Sequence, residues 1–255
     1  MFAFALCMLR QCGTYAMNPC SCRIVVMRLS ITGFGLSLML EIKDGTLSIG
    51  GHQLFSNLSF CTAEGGLTAV TGPHGCGKTS LLRAFLGFQP LDSGYVSVDA
   101  EPVLPQTSAL FRAGMLYVPQ DIRLCAGSFS EVFESLEGLH VNAALDHARK
   151  KLFYEWKRLA LDSSMYAMPL EELDGSALRR MMISVAGVTG RKNVLLDEPF
   201  AGHDADTLPR VMSYLRALAA SGSTVLLATV DSRLAGMCDV RIELGVLPHS
   251  NKTRR

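Results

Sequence analysis

Apolar runs recur along the chain and alternate between two spacings. Gly66–Thr71 is a short, β-branched, apolar run, and Lys192–Pro199 and Val225–Val230 have the same character, so all three read as strands. Ser80–Gly87 has helical spacing and stops at a glycine, the usual helix terminator. From about Ser128 to Leu170 the spacing is helical again, with Val132, Leu136, Leu139, Ala144, Leu145 and Ala148 as the expected apolar face. The 39–60 region is strand-rich, with Leu54, Leu58 and Phe60 expected to point inward. Strands alternating with helices predict an α/β sheet that binds its ligand at the strand C-termini.

Composition narrows the picture. The 255 residues are 49% hydrophobic and 18% charged, which excludes disorder throughout and suits one large domain, or a domain with a subdomain. The formal net charge of +1 supplies no field to hold nucleic acid, so no nucleic-acid partner is expected. No run reaches the roughly 20 clean apolar residues of a membrane span. The nearest, Ile24–Leu40, is interrupted by Arg28.

Residues 1–38 have clustered Cys and Met and no readable period. Met39 is the expected natural start, with 1–38 an extension that is disordered or not native, 39–247 the folded domain and 248–255 a tail. The alternative is a targeting or anchoring segment, although MFAFALCMLR lacks a leading basic stretch and a clear cleavage site. Cys7, Cys12, Cys20 and Cys22 match no common zinc spacing, and Cys61, Cys76, Cys125 and Cys238 are scattered singly. Reduced cysteines in a cytosolic protein are the simpler reading.

The sharpest chemical signal is Gly72-Pro73-His74-Gly75-Cys76-Gly77-Lys78-Thr79-Ser80, between a predicted strand and a predicted helix. That arrangement aims backbone N–H groups and the positive helix end at phosphates. Gly72, Gly75 and Gly77 let the chain turn and approach an anion closely. Lys78 would reach the β- and γ-phosphates, and the Thr79 hydroxyl would ligate Mg²⁺. His74 and Cys76 fill variable positions with no expected catalytic role. The second signal is Val194-Leu195-Leu196-Asp197-Glu198-Pro199, an apolar strand ending in two carboxylates. Alternation points them apart, so one can hold Mg²⁺ while the other polarises water.

The ordered set resembles the ATP-binding cassette family, the nucleotide-binding subunits of ABC transporters, over about Met39–Leu247. Leu91-Asp92-Ser93-Gly94 resembles the turn after the first helix, and Leu116–Asp121 the Q-loop. Leu173-Asp174-Gly175-Ser176-Ala177 occupies the signature position, Phe200–Asp204 resembles the D-loop, and Val225–Asp231 contains the switch position. The resemblance implies a P-loop core with an antiparallel β subdomain and a helical subdomain inserted at about 121–185. It implies Mg-ATP as ligand, with Gln120 and Asp197 completing the metal site, Gln120 sensing water and Glu198 the general base. It further implies a head-to-tail dimer with Asp174, Gly175, Ser176 and Asp204 at the interface, and a separate transmembrane permease. The subunit would be cytoplasmic, peripheral on the inner face of the membrane.

Three places depart from the family pattern, the first of them a run around Asp174. Asp174 stands where serine is usual, beside Ser176 for a glycine and Ala177 for glutamine. Both Ser and Asp cap helices well, so the local fold should survive. A carboxylate facing phosphate is another matter, repulsive by roughly 4 kcal/mol at about 4 Å and an effective dielectric of about 20. Val230 replaces the switch histidine, and Ile49 falls where an aromatic would stack on adenine. Two further readings therefore stand beside a transport ATPase: a hydrolysis-impaired partner in an asymmetric dimer, and a non-transport cassette ATPase. Phe129, Phe133, Phe153, Tyr154 and Trp156 are expected to form the aromatic contact with the permease, with core packing the equal alternative for each residue taken singly.

Overall fold

The computed structural model describes residues 23–25, 38–124, 126–137 and 148–245. Most of the extension 1–38, the tail 248–255, the cysteines Cys7, Cys12, Cys20, Cys22 and Cys125, and Leu139, Ala144 and Leu145 lie outside these residues.

Two sheets share the work. Strands β2 (Leu38–Ile49), β3 (His52–Ala63), β5 (Ser93–Val98) and β6 (Glu101–Pro102) form an antiparallel sheet in the order β3-β2-β5-β6. The second sheet runs β1-β10-β4-β9-β8-β7. Its parallel members are β4 (Leu67–Thr71), β7 (Met115–Val118), β8 (Asn193–Asp197), β9 (Thr224–Thr229) and β10 (Val240–Glu243). The short edge strand β1 (Arg23–Val25) pairs antiparallel with β10.

Every residue of β4, β8 and β9 is buried, as central strands covered on both faces must be. Alternation then assigns side chains to two cores. Val70, Leu195, Leu226, Ala228 and Ile242 pack toward the antiparallel sheet and α1 (Lys78–Phe85). Ala69, Val194, Leu196, Val225 and Leu227 pack toward α5 (Gly175–Thr189) and α6 (Leu208–Ala220). Each fully buried leucine contributes roughly 1.5–3 kcal/mol of transfer free energy.

Between β7 and β8 the chain is mainly helical: α3 (Phe129–Glu137), α4 (Ala148–Arg158), two 3-10 turns at 163–167 and 170–172, and α5. The remaining helices are short, α2 (Ser108–Ala113) before β7 and α7 (Ser232–Ala235) before β10. Phe129 and Phe133 are stacked with ring centroids 6.5 Å apart, and Trp156 sits 5.5 Å from Phe129 and 6.2 Å from Tyr166. The Trp156 indole N–H donates to Ser184 Oγ on α5 at 3.1 Å.

This packing corrects the aromatic-surface expectation. Phe129, Phe133 and Trp156 are core residues at 0–1% exposure, Phe153 is half-buried, and only Tyr154, at 66%, faces solvent. The reason is helical phase: Phe129 and Phe133 are four apart on one face, with Leu136 next along it. A second correction concerns β3. Leu58 and Phe60 are buried as expected, but the inward residue before them is Phe55, and Leu54 is only half-buried. Asn57 has φ 49°, and the β2–β3 register shifts nearby, so a bulge resets the alternation between Phe55 and Leu58.

Candidate functional site

The glycine loop joins β4 to α1. Helix α1 begins at Lys78, two residues earlier than the apolar spacing suggests, so the Lys78 and Thr79 amides belong to its open first turn. Gly77 precedes it at φ 100°, a conformation that favours glycine, and a Cβ there would lie 2.9 Å from Leu54 Cβ. Gly72 is held by proximity: a Cβ would lie 2.4 Å from the Leu244 carbonyl oxygen. Pro73, His74 and Gly75 form the exposed rim, while Cys76 is buried beneath it with its thiol pKa raised by burial.

Lys78 curls back over this loop. Its ammonium donates to the carbonyls of Gly72 at 2.8 Å and Pro73 at 3.0 Å, and lies 4.0 Å from Glu198 Oε1. Thr79 Oγ1 donates to Asp197 Oδ2 at 2.6 Å, across the gap between α1 and the end of β8. Asp197 is 1% exposed, and its other oxygen, Oδ1, is buried without a hydrogen-bond partner. Burial raises the Asp197 pKa, opposed by the Thr79 hydroxyl and the charge of Lys78.

Glu198 follows Asp197 at φ 49°, a left-handed conformation costly for a residue with a side chain. Its N–H donates to the Ala228 carbonyl at 2.9 Å, and its Oε2 accepts from the Val230 N–H at 3.2 Å. The strained turn thus aims the carboxylate across the sheet toward the end of β9. Leu54, His74, Gly75, Gly77, Lys78, Thr79, Ser80, Gln120, Asp197 and Glu198 line one cavity of about 150 Å³. The structure therefore brings together the phosphate loop, Gln120 and both carboxylates.

The signature-position residues stand elsewhere on the surface. Asp174 and Gly175 are exposed at the start of α5, and Ser176 is half-buried. Asp174 caps the helix: Oδ1 accepts from the Ala177 N–H at 2.8 Å and from Ser176 Oγ at 2.6 Å. These two donors hold its pKa below the ordinary carboxylate value. The exposed Asp204 similarly accepts from the Thr207 N–H at 2.7 Å. Val230 lies just beyond β9 with its side chain 40% exposed, and Ile49, 45% exposed, ends β2. The apolar side chain bordering the phosphate loop is Leu54, not Ile49.

Sequence reasoning missed two contributors. One is the Val230 backbone N–H, which any residue there would supply. The other is Arg179, whose guanidinium reaches the Gln120 and Ala201 carbonyls. The adjacent pair Arg179-Arg180 in an apolar helix was the available signal: both are buried, and Arg180 donates to the Leu159 carbonyl at 3.0 Å, behind α4.

Comparison with known proteins bears on the family and the fold. The family model described as ABC transporter matches residues 55–201. Nod factor export ATP-binding protein I of Sinorhizobium fredii is 32% identical over 218 residues, 84% of this chain and 61% of that protein. The putative HMP/thiamine import ATP-binding protein YkoD of Bacillus subtilis is 29% identical over 77% of this chain, which spans only 35% of its length. A dimeric ATP-binding cassette solved in a post-hydrolysis state with ADP and Pi superposes with a TM-score of 0.71. That superposition, at 21% identity, covers 82% of this chain and 96% of the other, and shows a shared fold. By the extent of the family match, with the fold in accord, the chain belongs to the ABC transporter family.

Proposed function

We propose that the chain is an ATP-binding subunit that takes up Mg-ATP and hydrolyses it to drive a separate transmembrane permease. The observation that carries this reading is the Thr79–Asp197 contact of 2.6 Å, with the second Asp197 oxygen buried and unpartnered. A hydroxyl, a carboxylate with a spare lone pair and the neighbouring Gln120 are an oxygen donor set of the kind a hard divalent cation takes. Thr79, Asp197 and Gln120 would hold Mg²⁺, which when bound neutralises charge on the phosphate oxygens.

The chain's own residues supply the rest. The α1 N-terminus and the loop amides receive the terminal phosphates, and the Lys78 ammonium exchanges its two loop carbonyls for phosphate oxygens. The cavity of about 150 Å³ suits the phosphate end of a nucleotide, leaving sugar and base toward Leu54. Glu198 is the general base for the attacking water; its Oε2 is steadied by the Val230 N–H and its Oε1 faces Lys78. Calorimetry with ATP, with and without Mg²⁺, tests the binding site. Steady-state phosphate release in the presence of the permease tests turnover. Absence of ATP binding would sink the reading.

A second reading, slow or absent hydrolysis within an asymmetric cassette pair, is favoured by one observation. Asp174 presents an exposed carboxylate, with its pKa held low, at the helix start that would face the partner's ATP. Pairing with a cassette lacking that charge avoids one of two repulsions. Turnover by this chain that Asp174→Ser does not raise would remove the second reading. In either case the work site would be the cytoplasmic face of the membrane. Among the described residues no helix is long and apolar enough to cross it.

A further inference from the structure

We propose that Arg179 is a positioning residue that ties the loop after β7 to the loop after β8, so that Gln120 and the Glu198 turn move as one body with helix α5. The role given to Gln120 and Glu198 rests on the nucleotide reading above; the bridge itself does not. Arg179 lies on the second turn of α5 and is only 9% exposed. Its Nη2 donates to the Gln120 carbonyl at 2.6 Å and its Nη1 to the Ala201 carbonyl at 2.8 Å. These two acceptors belong to loops that leave neighbouring parallel strands, β7 and β8.

Two features make this a built bridge. The third donor, Nε, is buried without a partner, so the two Nη bonds set where the guanidinium sits. Its planar fork presents two donors at a fixed separation, which a lysine ammonium cannot reproduce. The charge is also placed with purpose. Burial lowers the Arg179 pKa, while the nearby carboxylates of Glu198 and Asp197 favour the charged form. The cation is thus held between the two loops by its two carbonyl acceptors.

The contact chain is short. The Glu198 carbonyl accepts from the Ala201 N–H at 3.1 Å, and the Ala201 carbonyl accepts from Arg179. A displacement of α5 would therefore pull on the Glu198 turn through Ala201 and on Gln120 through the second arm of the same guanidinium. A bistable arrangement of that helix would be felt at both site loops together.

Hydrogen exchange on the full chain without nucleotide tests the bridge, comparing wild type, R179M and R179K. Amides at 120–124 and 200–204 should exchange about tenfold faster in both variants, while 76–82 and the central strands keep wild-type rates. Loosening of one loop alone, or of neither, overturns the proposal. Wild-type protection in R179K would assign the effect to charge instead of the fork and overturn it as well. R179K also decides the matter should R179M fail to fold. Calorimetry adds a readout that general destabilisation would not produce. R179K should bind metal-free ATP with wild-type Kd and lose about tenfold of the Mg²⁺-dependent gain, because Gln120 is no longer held in place. Equal Mg²⁺ gain in both proteins counts against the bridge. A wild type that binds no ATP would overturn the nucleotide reading, and the exchange result would still decide the bridge.

Discussion

The phosphate end of the molecule and the start of α5 are built by opposite rules. Around the glycine loop the charged groups are buried and tied to one another: Lys78 and Glu198 are each 7% exposed and Asp197 1%. At the start of α5, Asp174 is exposed and its carboxylate is satisfied locally, by its own helix and Ser176. A change in the first region leaves a buried group unpaired. A change in the second region keeps the fold, because Asp caps a helix about as well as Ser. The contrast explains how the start of α5 can depart from the expected family pattern at three neighbouring positions, 174, 176 and 177, and keep its fold. It also predicts that variants will divide sharply between the two ends.

The largest effect is expected from Glu198→Gln. The amide keeps the shape and can still accept from the Val230 N–H, but it cannot take a proton from water. Steady-state phosphate release should fall by about 10²–10⁴-fold, with ATP affinity retained. Unchanged turnover would move the base elsewhere. Lys78→Ala comes next: on the proposed reading it removes the cation that would meet phosphate, and it should weaken ATP binding about 100-fold by calorimetry, corresponding to about 3 kcal/mol of charge-assisted hydrogen bonding. The chain should still fold, with a lowered Tm, because the buried Glu198 carboxylate loses the cation 4.0 Å from its Oε1. Equal ATP affinity in the two proteins would refute this site.

Why the two ends differed in legibility follows from the same contrast. The phosphate loop is readable because its chemistry needs glycines and a lysine at fixed spacing, and Asp197-Glu198 because an apolar strand must end where its side chains meet charge. The parallel sheet was legible for a related reason: β4, β8 and β9 carry apolar runs at Ala69–Val70, Val194–Leu196 and Val225–Ala228. Other features leave no such trace. Arg179 bonds to backbone carbonyls, and a carbonyl has no residue identity. Leu54 and Phe55 exchange roles because of a bulge at Asn57, and a shift of one position inverts every later assignment. Aromatics mark interfaces as readily as cores, so composition alone leaves Phe129, Phe133 and Trp156 open, and the convergence of two helix faces makes them a core.

A smaller gain should come from restoring the family residues. Val230 has 40% of its surface open, so a histidine can be accommodated there while the backbone N–H still holds Glu198. Val230→His and Asp174→Ser should each raise turnover by about tenfold or less. Together they should exceed the product of the two single gains, because in the proposed dimer both would act on one γ-phosphate from opposite subunits. A wild-type rate that neither change improves would show that the departures are compensated, and the hydrolysis-impaired reading would fall.

The smallest effect, and the sharpest test of the contrast, is the stability change in Asp174→Ser. The hydroxyl can accept the same helix N–H, so unfolding free energy near neutral pH should stay within about 0.5 kcal/mol of wild type. A pH series separates the charge from the cap. The folded-state pKa of Asp174 is lowered by the Ser176 hydroxyl and the Ala177 N–H, so its contribution to stability is present above the unfolded value of about 3.9 and is lost as pH falls through the folded value. Serine has no such titration. The stability difference between the two proteins should therefore be flat from pH 5 to 8, as roughly bracketed by the unfolded carboxylate pKa, and should shift in favour of the serine variant only in the acid range. Solvent screening keeps the shift small, because Asp174 is exposed. A large loss of stability at neutral pH would mean that the carboxylate holds the start of α5 in a way serine cannot. The departure at 174 would then be part of the fold itself, and no longer a change confined to how this face meets a nucleotide.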